Sequence, residues 1–299
     1  MNITLVTARQ EIRSLRREKL AQALLVVFVS MVSLSSFIGW LTNRNVTGIY
    51  GKVKEQGFTS APNPFANVPA LYYLRNTVIY LVLIGALLAI VLGVASILRD
   101  RKARTVDLVL VRPIHANSYL LGKLSGIALW LAMILSLVAC ISWISISVII
   151  GKPLAGIDTR RMIFFFVLSL LFLLGFVLLG MICAIYSARE TSALLLPIAI
   201  WSVITFVLPQ LGTADHPVSL LNPVPAIPNQ GGAFSTLNSI FSPLSITEQF
   251  KKVSSWAFGS PDNVGSPNTS LTVLIAVFII GTFGLLITKR DRLRRGLYE

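Results

Sequence analysis

The chain predicts an all-α integral membrane protein with six transmembrane helices, and three features carry that prediction. Of its 299 residues 55% are hydrophobic and the mean hydropathy is +0.77, more apolar surface than a soluble chain can hide. The apolar residues gather in runs at 20–42, 77–98, 119–149, 162–186, 191–211 and 270–288. Each is longer than the roughly 18 residues that carry a helix across a bilayer. The 26 Lys and Arg cluster at the ends of these runs, the arrangement that fixes orientation in a membrane. A net charge of +14 also suits nucleic acid, but this clustering assigns it to topology and to anionic lipid headgroups, so no nucleic-acid partner is expected.

Residues 1–19 precede the first span. Leu5, Ala8, Ile12 and Leu15 recur at helical spacing, with Arg9, Arg13, Arg16 and Arg17 around them, which predicts an amphipathic helix lying on the inner membrane face. The first apolar run follows a charged segment and is long enough to span, so it is expected to remain as an anchor rather than a cleaved signal. Placing both termini in the cytoplasm puts the basic clusters within 9–19, 99–123 and 289–295 inside, and with them most of the cations. Residues 20–299 then form one transmembrane domain with outer loops at 43–76 and 212–269.

The stretch 99–123 lies between the second and third spans. Arg99, Asp100, Arg101, Lys102 and Arg104 open it, and a short apolar helix through Val106, Leu108, Val109, Leu110 and Val111 follows before Pro113 breaks it. Asn117 and Ser118 read as caps for the third span. A short helix of this kind is marginal alone in water, so its apolar face calls for a protein cover. The fourth and fifth spans are separated only by the turn Ser187–Glu190. Pro197 and Pro209 should kink the fifth span or loosen its backbone bonding. In the long outer loop, Ser242 and Pro243 read as an N-cap and first-turn proline of a helix over about 244–256.

Little covalent chemistry is written here. Apart from Lys123 near a boundary, the runs hold no Asp, Glu, Lys, Arg or His, which argues against a proton-coupled carrier. No phosphate-binding glycine loop and no zinc-protease motif occurs, so no catalytic residue, resident cofactor or metal ligand is assigned. Gly85, Ala89 and Gly93 lay a smooth stripe along the second span, suited to a subunit seam, a passage wall or ordinary helix packing.

These motifs together resemble the membrane subunits of type-2 ATP-binding-cassette exporters. The resemblance runs over nearly the whole length, through Ala8-Arg9-Gln10-Glu11 and Thr105-x-Asp107-Leu108-x-Leu110 to Arg112-Pro113-Ile114 and Gly122-Lys123. Arg104 and the basic pair before it stand where related chains carry a glycine and more acid. The Ser187–Thr191 turn and Pro243-Leu244 are similar to the permease of the nitrous oxide reductase copper-assembly system. The family resemblance implies a coupling helix within 99–117, seated on a separate ATPase that binds ATP and Mg. Its contacts would be Arg99, Asp100, Arg101, Arg104, Thr105, Asp107, Leu108, Leu110, Arg112 and Pro113, with Glu11, Arg189 and Glu190 beside them. It also implies two ATPase copies, a second copy of this chain, and a central passage or dimer seam lined through Gly85, Ala89, Gly93, Pro197 and Pro209. The outer loop before the last span would form the gate. The expected function is thus the permease of an ATP-driven exporter in the cytoplasmic membrane, with an apolar passage suited to a lipid-like cargo. The alternative is an ATPase-driven scaffold or signalling subunit that acts on an outer-face accessory protein without moving cargo.

Overall fold

A computed structural model describes residues 3–58, 69–102, 116–211, 222–225, 231–259 and 267–287. Helices and no strands occur among them. In chain order they are α1 (Ile3–Leu15), α2 (Lys19–Glu55), α3 (Ala70–Lys102), α4 (Ala116–Ile150), α5 (Gly156–Tyr186), α6 (Glu190–Leu211), α7 (Gly232–Phe241), α8 (Ile246–Ala257) and α9 (Pro267–Leu286). Six of these, α2 to α6 and α9, are long and apolar enough to cross a membrane, as the hydropathy runs require.

The core is built on α3 and α5, the two most buried spans. Gly93 of α3 abuts the Val177 carbonyl of α5, and Gly180 of α5 abuts the Ile90 carbonyl of α3 in return. A Cβ at Gly180 would stand 2.5 Å from that oxygen, so only glycine permits this crossing. Gly85 faces Leu173 and Phe28, and Ala89 is fully buried. The Gly85/Ala89/Gly93 stripe is therefore occupied by α5 of the same chain, on the face where a passage or subunit seam was expected.

Three local expectations need correction. α2 continues to Glu55, through residues expected to be loop, because no proline interrupts them and their glycines do not stop a helix already nucleated. Tyr73 at the start of α3 donates to Asn43 Oδ1 (3.1 Å), tying this extension to its neighbour. In the long loop, Ser242–Leu244 forms a 3-10 turn that ends α7, and the cap of α8 is Ser245, whose Oγ accepts the Glu248 N–H. Ser245-x-x-Glu248 has the serine and glutamate spacing of a capping box, which outranks the proline as a start signal. Asn117 and Ser118 are themselves helical residues of α4 rather than caps of it.

The helix α8 does not lie over the bundle. Phe250, fully buried, stacks on Phe172 of α5 at 4.3 Å between centroids and lies 6.1 Å from Phe165, while Phe258 meets Phe165 at 4.8 Å. Phe172 stands near the middle of α5, so α8 re-enters the bundle at the depth of the spans.

Candidate functional site

The expected coupling residues Arg104, Thr105, Asp107, Leu108, Leu110, Arg112 and Pro113 lie outside the described residues. The flanks of that segment are described, and they converge with α1 and the α5–α6 turn at one end of the bundle.

α1 reaches this end by packing across α4. A Cβ at Gly122 would lie 2.7 Å from Thr7 Cβ, and one at Gly126 would lie 2.8 Å from the Ala8 carbonyl and from Glu11 Cβ. The Gly122-x-x-x-Gly126 motif thus seats α1 of its own chain. The docked face runs through Thr4, Thr7, Ala8, Glu11 and Leu15, whereas Leu5 is 68% exposed. That differs from the membrane-facing stripe read in the sequence, because the two glycines offer α1 a closer fit than a lipid surface.

Docking drives Glu11 into the bundle, 3% exposed, and two cations meet it there. Lys123 Nζ of α4 lies 3.2 Å from Glu11 Oε2 and 2.7 Å from Asp100 Oδ2, and it also donates to the Ser96 carbonyl. Lys123 is 1% exposed, and its charge is held only because two carboxylates and a carbonyl surround it. Arg99 of α3 pairs with Glu11 and, at 3.0 Å, with Glu18 in the connector from α1 to α2. Tyr119 donates to Asp100, and its ring lies 5.3 Å from the Lys123 ammonium. Asp100 therefore clamps the end of α3 to the start of α4, on either side of residues 103–115 in the chain.

Arg101 does a separate job. Its guanidinium donates to the carbonyls of Ala184 (2.6 Å), Ile185 (2.8 Å) and Ser187 (3.1 Å), filling the open C-terminal end of α5 with positive charge. Glu11 and Arg101, expected as contacts for a partner, are thus committed inside the chain. Arg189 and Glu190 are exposed, and Lys102 pairs with Glu190 at 2.9 Å in the open. The sequence reading treated Lys123 as a boundary residue, and its signal was the lone cation in an otherwise apolar run.

Beside this network a groove of about 740 Å³ opens between α2, α3 and α6. Val91, Val94, Ala95, Leu98 and Leu194 line it, and Glu18, Arg99, Lys102 and Glu190 rim it. The face of α3 turned to open space is thus one step round the helix from the Gly85/Ala89/Gly93 stripe. Pro197 is buried, and Pro209 lies near the far end of α6.

The fold and site define a multi-pass membrane protein whose helix ends are fastened to one another by buried ion pairs. The chain belongs to a known family of that class: the sequence model of the ABC-2 family transporter protein matches residues 5–290, which makes it a type-2 ABC permease. No curated protein matches it. Members of this family are membrane subunits of transporters, and the family implies an ABC ATPase partner in general terms.

Proposed function

We propose that this chain is the permease of an ATP-driven exporter and that residues 99–117 receive the motion of a separate ATPase. The observation that supports this reading is the charge lock. Asp100–Lys123 joins the two arms of that segment, Glu11 joins α1 to both, and Arg101 fastens them to α5. A displacement that reaches the described ends of that segment, Arg99–Lys102 and Ala116–Lys123, is shared through these pairs with α1, α3, α4 and α5. Such a displacement can follow ATP only if the segment makes different contacts in the two nucleotide states.

On this reading the α1 end faces the cytoplasm of the inner membrane, where the basic clusters place it. ATP and Mg reside in two copies of the ATPase, and two copies of the permease face each other. The groove between α2, α3 and α6 is the cargo's way in, with an apolar wall suited to a lipid-like molecule. The re-entrant α8 is the outer gate. Its burial against α5 favours this role over the scaffold alternative, since a helix spent on internal packing offers little to an outer partner.

The test is two separate single variants, Asp107→Lys and Leu110→Asp, each assayed in membranes with the ATPase. The expected outcome is normal insertion and residual ATP hydrolysis with transport lost. Unchanged transport in both variants defeats the reading.

A further inference from the structure

α6 contains a π turn at Val203–Val207, in which the Leu208 N–H bonds back to the Val203 carbonyl, five residues earlier. In that register the next carbonyl, that of Ile204, looks to residue 209 for its N–H. Residue 209 is proline and has none. A carbonyl left in that state inside a membrane-spanning bundle is costly unless another donor is brought to it, because no water is there to pair it. The donors come from α8. Ser245 Oγ lies 3.2 Å and Thr247 Oγ1 3.3 Å from the Ile204 oxygen, the two hydroxyls are 3.1 Å apart, and both residues are fully buried.

Ser245 is also the cap of α8, since its oxygen accepts the Glu248 N–H at 3.4 Å. One side chain therefore ends one helix and pairs the backbone of another. Ile204 stands about 21 Å along α6 from Glu190, at the 1.5 Å rise of an α-helix, so this junction lies deep among the spans. Nearer Glu190, α6 is fastened to α3 in the same style. Trp201 Nε1–H donates to the Val82 carbonyl (3.1 Å), which sits in the π turn Leu81–Gly85 of α3.

We infer that Pro209 acts as one half of a latch: it withholds an N–H from Ile204, and Ser245 and Thr247 use the resulting acceptor to seat α8 on α6. The re-entrant helix then rides on the far half of α6. A change in α6 that restored intrahelical pairing at Ile204 would release it. Ser245 and Thr247 are positioning residues for α8. The role of this latch in transport rests on the function proposed above, whereas its existence does not.

The latch is tested with the full chain in lipid nanodiscs, in a Cys140→Ser/Cys183→Ala background. Ser254→Cys serves as reporter, because Ser254 is 1% exposed on α8. Its labelling by a membrane-impermeant maleimide reads how often α8 leaves its seat. Ser245→Ala/Thr247→Val should raise the labelling rate by about tenfold, the scale of two net hydrogen bonds. Ser245→Thr, which keeps the hydroxyl, should label at the parent rate, and this separates a lost bond from a misfolded loop. Pro209→Ala supplies the missing N–H, so it should also speed labelling. Adding Thr247→Val, which leaves the Ser245 cap of α8 in place, to Pro209→Ala should then change nothing further. Unchanged labelling in Ser245→Ala/Thr247→Val, or a Thr247→Val effect that multiplies with that of Pro209→Ala, overturns the latch. A non-additive cycle upholds it, whether or not Mg-ATP added with the ATPase alters the parent rate. Indifference to Mg-ATP would count against the export reading alone.

Discussion

Both ends of the bundle bury charge, but they do so for different ends. At the α1 end the pairs join residues far apart in sequence: Glu11 with Lys123, Glu11 with Arg99, Asp100 with Lys123. At the α8 end the buried pair is Glu248–Lys251, 2.8 Å apart and three residues apart on one helix. A pair within one helix stiffens that helix but holds no two helices together. The far end instead relies on stacked phenylalanines and on hydroxyl bonds to a carbonyl, which yield and re-form more readily than a buried charge cluster. The α1 end joins separate helices through buried charge, and the α8 end is held by ring stacking and hydroxyl bonds.

The largest expected effect breaks the first half of that contrast. Lys123→Met leaves two carboxylates, Glu11 and Asp100, without their shared buried cation. Removing one partner of a buried pair costs about 3–5 kcal/mol, and here the loss falls on two acids. Lys251→Met leaves only Glu248, which keeps the Lys252 charge nearby. Thermal unfolding in detergent should therefore show a markedly larger drop in midpoint for Lys123→Met than for Lys251→Met. Equal drops would remove the distinction between the two ends.

A smaller effect sharpens it. Gly126→Val sets side-chain atoms against the Ala8 carbonyl and Glu11 Cβ, so α1 must rise off α4 or strain against it. Overpacking of this kind costs about 1–3 kcal/mol. Because Glu11 rides on α1, lifting that helix also loosens its ion pairs. Gly126→Val should therefore lower the unfolding midpoint in detergent, by less than Lys123→Met does. A midpoint equal to the parent's would show that α1 is not held by this seam.

How much of this was legible depends on range. The spans and the tight α5–α6 turn could be read because hydropathy and chain breakers act over a few residues. The lock could not be read in full. Glu11 looked like a surface acid among arginines, and only the docking of Thr4, Thr7 and Ala8 onto Gly122 and Gly126, more than a hundred residues away, turns it inward. Pro209 was recognisable as a weak point in its span. What fills that weak point, Ser245 and Thr247, comes from a segment with no sequence signal for re-entry, since α8 carries Glu248, Lys251 and Lys252 and reads as a surface helix. Its capping box, by contrast, was present in the sequence.

The smallest effect on stability distinguishes cations that hold the fold from cations that face outward. Lys102–Glu190 is an exposed pair at 2.9 Å, its side chains 62% and 58% accessible. Pairs of this kind contribute about 0–1 kcal/mol, so Lys102→Ala should leave the unfolding midpoint within about a degree or two of the parent. Its neighbour Arg101 fills the end of α5 through three carbonyls, and Arg101→Ala should lower the midpoint clearly. Lys102 and Glu190 nevertheless rim the groove and stand beside the arm that enters residues 103–115. If that corner meets the ATPase, Lys102→Glu should reduce co-purification of the two proteins several-fold at low salt, with less difference from the parent as salt rises. Undiminished co-purification at low salt would move the contact away from this corner, and onto the segment between Lys102 and Ala116 alone.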